Sequence, residues 1–163
     1  MKQMKYKKQI QRIAAIVTLI VFPVITFYLM EAYTHNPFEE VRPWAQFFNI
    51  LLFELLAWIF VSVTGKIRCG LRIELVTAMI YGIANAYVVR FRTNPIVPWD
   101  IFSWKTAASV ASNYDFKPDI RMIVVTLAFL GMIVLLQFVK TGMPKFQLWK
   151  RLIPAGACYS SAD

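Results

Sequence analysis

Apolar and polar positions along this chain separate into long blocks. Ile10 to Met30 is nearly continuous apolar sequence, and so are Trp44 to Thr64, Ile73 to Val89 and Ile120 to Val139. At 1.5 Å per helical residue, a run of about 20 residues matches the hydrocarbon thickness of a bilayer. Lipid offers no partner to a backbone N–H or C=O, so such runs must satisfy themselves as helices. The pattern predicts an all-α integral membrane helical bundle with four transmembrane helices, over about 10–30, 44–64, 73–89 and 120–139. Pro23 falls inside the first run, where a kink is expected rather than an end. Glu74 opens the third, near a helix N-terminus where an acid is favoured.

The polar blocks differ in kind. Glu31 to Pro43, "EAYTHNPFEEVRP", is acidic, and its His35 reads as a solvated loop residue. Gly65 to Arg72, "GKIRCGLR", is basic and reads as a tight turn. The segment 90–118 is about 30 residues, too long for a simple turn. In "NPIVPWD" each proline favours extended backbone at the residue before it, Asn94 and Val97. The chain is therefore expected to turn along the membrane surface there. Asp100 then serves as N-cap for a short amphipathic extracellular surface helix through "IFSWKTAASVASNY".

Composition changes the picture little. Hydrophobic residues make up 58% of the 163, above the roughly 45–50% of a soluble domain, and their segregation excludes a soluble fold. A net charge of +9 would point to nucleic acid in a soluble chain. Here the cations flank apolar runs, so topology and anionic lipid account for them, with no nucleic-acid partner. Twelve of the 18 Lys and Arg residues fall on the side of the N-terminus: Lys2, Lys5, Lys7, Lys8, Arg12, Lys66, Arg68, Arg72, Lys140, Lys145, Lys150 and Arg151. The expected placement is multi-pass in a bacterial plasma membrane, N-terminus cytoplasmic, with segment 90–118 outside. Cys69 and Cys158 form no CxxC and no Cys/His cluster, so two free thiols and no metal site are expected.

Candidate chemistry concentrates outside. Arg90 and Arg92 can lay their stems along the third helix and raise planar guanidinium forks to phosphate level. Trp99 and Trp104 suit the headgroup layer, and Asp100 can pair with Arg92 or Lys105 to hold the turn. Arg90, Arg92, Trp99, Asp100, Trp104 and Lys105 are thus the candidate surface for lipid headgroups or for a docked domain. Thr106 and the neighbouring serines lack a histidine or paired carboxylate to activate them, and no catalytic residue is assigned. Inside the membrane, Glu54 is expected to be protonated or to face a polar partner, for which Asn49 and Asn85 are the candidates; structural bonding across helices is favoured over a proton or ion path.

Two stretches, "FYLMEAYTHNPFEE" and "NAYVVRFRTNPIVPWDIFSWKTAASVASNYDF", resemble the membrane portion of the lipoteichoic acid synthase family, phosphoglycerol transferases of Gram-positive bacteria. The resemblance runs from the basic start to about Arg151. It implies a bundle of about five helices leading to an extracellular domain of alkaline phosphatase and sulfatase type. In the family that domain holds a threonine nucleophile and a divalent metal, usually manganese. It moves glycerophosphate from phosphatidylglycerol to a cell-envelope polymer. No residue here matches the nucleophile or the metal ligands, so the implied role is an anchor (residues 1–151) without cofactor, inactive by itself. Its implied partners are phosphatidylglycerol and its own missing outer domain. Residues 152–163 read as the truncated start of a fifth span. The alternative is a free-standing four-helix protein that binds or flips a polyprenyl-linked or anionic lipid; a subunit that docks a separate soluble enzyme is a third reading.

Overall fold

The computed structural model describes residues 2–92, 94–103 and 117–139. Every regular element among them is helical: α1 (Lys2–Glu31), α2 (Pro37–Glu40), α3 (Pro43–Thr64), α4 (Ile67–Arg92), a 3-10 turn over Pro98–Ser103, and α5 (Ile120–Phe138). Trp104 and Lys105, with the rest of the expected surface helix and the tail, lie outside the described residues.

Among the described residues three helices are long and apolar enough to cross a membrane: Gln9–Glu31 within α1, Pro43–Thr64 and Ile120–Phe138. Pro23 lies inside α1 without ending it. α3 begins with Pro43 in its first turn, where the missing N–H costs nothing. α5 is capped by Asp119, whose Oδ1 accepts the N–H of Ile120 at 2.8 Å.

α4 departs from the expected third span. It starts at Ile67, not Ile73, so most of the basic block is helix. The physical reason is a stripe at helical spacing: Ile67, Leu71, Leu75 and Ala78 are all buried, and burying them requires the extra turns. Only Gly65 and Lys66 remain as the connection. Gly65 takes φ 65°, the left-handed conformation that closes a helix, and its N–H donates to Val61 O at 2.8 Å. Glu74 consequently sits in the second turn of α4, away from any N-terminus, and is fully buried.

So short a connection makes α3 and α4 an antiparallel pair, and they pack most closely at their joined ends. A Cβ at Gly70 would stand 2.5 Å from the backbone nitrogen of Val61, so only glycine allows this approach. α4 touches each of the other long helices; α1 packs on α3 and α4 and meets α5 only slightly. The core is a single cluster, including Phe27 of α1, Phe53 and Ala57 of α3, Leu71 and Leu75 of α4, and Phe129 of α5. Opposite faces carry exposed Ile16, Ile20, Phe47, Leu51, Leu127 and Leu135. Such faces suit lipid, whose tails are as apolar as the side chains.

Candidate functional site

One end of the bundle is a two-residue turn and the other gathers the longer connections, so the second is where a site can be built. The end of α1, all of α2, the start of α3, the end of α4, residues 94–103 and the start of α5 meet there.

Arg90, in the last turn of α4, donates from Nη1 to the backbone oxygen of Lys117 at 3.1 Å. It fastens the approach to α5 onto the end of α4. Asn85, one turn earlier, accepts the N–H of Ile96 through Oδ1 at 2.9 Å and draws the extended stretch back over the bundle. Asn85 is therefore engaged with its own connection rather than with Glu54. Asp100 lies within the 3-10 turn that starts at Pro98, and its Oδ2 accepts the N–H of Val97 at 2.9 Å; the helix expected to follow it runs beyond Ser103, outside the described residues. Proline at the first position and an acid reaching back to the preceding N–H make a start signal that begins three residues earlier, with Val97 in the cap position. Trp99 and Phe102 are 76% and 80% exposed, their rings 6.1 Å apart. Together they form an aromatic step above the helix ends. Arg92 ends α4, and its side chain lies outside the described atoms.

Across the same end, the acidic connection is more ordered than a polar loop. Asn36 caps α2, accepting the Phe38 N–H at 3.2 Å. Gln46 of α3 donates from Nε2 to Pro37 O (2.9 Å) and Val41 O (2.8 Å), and its Oε1 accepts the Tyr28 hydroxyl at 3.2 Å. His35 is half-buried, not solvated: Nε2 lies 3.0 Å from Glu31 Oε2 and Nδ1 lies 2.8 Å from Thr34 Oγ1. Between this connection and α5 opens a crevice of about 670 Å³, walled by Ile25, Leu29, Phe38, Val124 and Val125, with Arg121, whose Nη1 donates to Thr34 O at 3.4 Å, also in its lining. Its walls are mostly apolar.

Tyr33 was not legible as special, yet it is 3% exposed. Its ring lies against Gly82 of α4 and stacks on Phe129 of α5 at 5.9 Å, and its hydroxyl meets Thr126 Oγ1 at 2.9 Å. Burial pushes its phenol above the ordinary value, with the Thr126 bond opposing.

Deeper in the bundle, Glu54 and Asn49 are half-buried on α3. Glu74 of α4 is near enough to Glu54 for like charge to act between them, a second acid rather than an amide partner. Cys69 is a free, exposed thiol; Cys158 lies outside the described residues. Among the described residues no three metal-ligating side chains come together. Compared with known protein families, characterised proteins and solved structures, the chain matches none.

Proposed function

We propose that this chain is the membrane portion of a phosphoglycerol transferase of the lipoteichoic acid synthase type, with α1, α3, α4 and α5 all crossing the plasma membrane. At 26 residues α4 is about 39 Å long, enough to cross. In this reading the N-terminus is cytoplasmic and the loop-rich end faces outward. That end presents an anionic lipid, phosphatidylglycerol, to a catalytic domain above it. The chemistry belongs to that domain: a threonine takes the glycerophosphoryl group, diacylglycerol leaves, and the polymer terminus accepts the group.

The observation that carries the reading is the aromatic step of Trp99 and Phe102, held against the bundle by Asn85 and set beside the Arg90 tie. Exposed aromatic rings over apolar helix ends belong at headgroup depth, where a lipid donor would be met. Arg90 spends one donor on Lys117 and has further donors for a phosphate. Replacing Arg90 and Arg92 together with Gln in an intact parent enzyme should lower transfer from phosphatidylglycerol about tenfold or more, as loss of two charge-assisted contacts would. Unchanged transfer would sink the lipid-presenting role.

The second reading, a free-standing lipid-binding protein, is favoured by the mostly apolar crevice that Arg121 helps to line. The two separate on the size of the natural product, followed with an antibody to Met1–Arg12. A product of several hundred residues supports the anchor, and one near 18.9 kDa supports the free-standing protein.

A further inference from the structure

Glu74 stands seven residues into α4, roughly 10 Å from the tight-turn end along the helix axis. It is fully buried, and neither carboxylate oxygen has a hydrogen-bond partner. Each element packed around α4 was open to supply one, and none does. From α3 comes Glu54, of the same charge when ionised. The buried hydroxyls of α1, Thr18 and Thr26, are spent on Ala14 O and Phe22 O of their own helix. On α5, Thr126 is bonded to Met122 O and to Tyr33. On α4 itself Arg68 and Arg72 are the neighbouring cations. Their spacing of six and two residues sets both off the Glu74 face at 100° per residue, and the Nε of each is likewise buried without a hydrogen-bond partner.

We propose that Glu74 forms a proton-binding site inside the bundle. An ionised carboxylate with no partner is strongly disfavoured at such depth, and a second carboxylate near it makes ionisation of both worse still. A bound proton removes both penalties and lets the interior close over Glu74. Glu54 is half-buried, so the pair has a covered member that holds the proton and a more accessible one through which it exchanges. The proposal needs α3 and α4 to lie in the membrane; it does not depend on the phosphoglycerol transferase reading.

The test is infrared spectroscopy of the full chain in lipid nanodiscs at pH 7. The expected result is a carboxylic-acid C=O band that moves with ¹³C-glutamate labelling, integrates to one group per chain and is lost in Glu74→Gln. A native chain without this band, or a band that survives Glu74→Gln, would overturn the proposal. Should Glu74→Gln not fold, Glu54→Gln decides. The band must persist there, and its loss would put the proton on Glu54 instead.

Discussion

Tyr33, which neither apolar runs nor motifs single out, joins the end of α1 to α4 and α5. Its position depends on an absence, the missing side chain of Gly82, where a Cβ would stand 2.5 Å from the Tyr33 ring. Gly82→Ala should therefore cost about 1–3 kcal/mol, because the ring is held by Phe129 on its other side and cannot give way. Tyr33→Phe should cost about 1 kcal/mol through the lost bond to Thr126, with the ring in place. Thermal unfolding in detergent measures both. Equal melting points for native and Gly82→Ala protein would mean that the contact is relaxed in solution. Gly70→Ala should be at least as damaging, since its Cβ would meet backbone atoms of Val61, which have no rotamer to change.

At the scale of elements, the acidic connection between α1 and α3 is a small built unit. Four-residue α2 is too short to be stable by its own hydrogen bonds. It is kept by the Asn36 cap, the stack of Tyr28 on Phe38 at 4.9 Å, and the three bonds of Gln46. Gln46→Ala removes the last set and leaves two half-covered carbonyls to water. Hydrogen exchange should quicken over residues 36–42 by about fivefold or more, corresponding to roughly 1 kcal/mol of lost local stability, with α4 unchanged. Exchange unchanged in that segment would show that the cap and the stack suffice.

At the scale of the whole molecule, the distribution of Lys and Arg gives the bundle an expected orientation, and one thiol reports on it. Cys69 is exposed at the tight-turn end, opposite the Trp99 step. In a Cys158→Ser chain, a membrane-impermeant maleimide should label Cys69 only after the cytoplasmic face is opened. A cysteine placed at exposed Glu39 should label in intact cells. The reverse pattern would invert the bundle and remove the outward-facing lipid surface on which the proposed function stands.

The number and place of the apolar runs, the break at Gly65 and the polar character of the ends were set by the sequence, because each depends on neighbours along the chain. Three of the four expected runs reappear as helices apolar enough to span, within a few residues of their predicted bounds. The fourth is longer than its apolar core suggests, since Ile67 and Leu71 are held in helix by burial against other helices and not by their own block. The same reason hid the site. That Asn85 would bond Ile96 and leave Glu54 near Glu74 depends on which helix faces cross, and facing is decided only when the bundle packs. The chain alone determined that it would seek lipid. Packing alone determined which polar groups found partners, and it left Glu74 with none, because a buried acid can be satisfied only by what another helix brings to it.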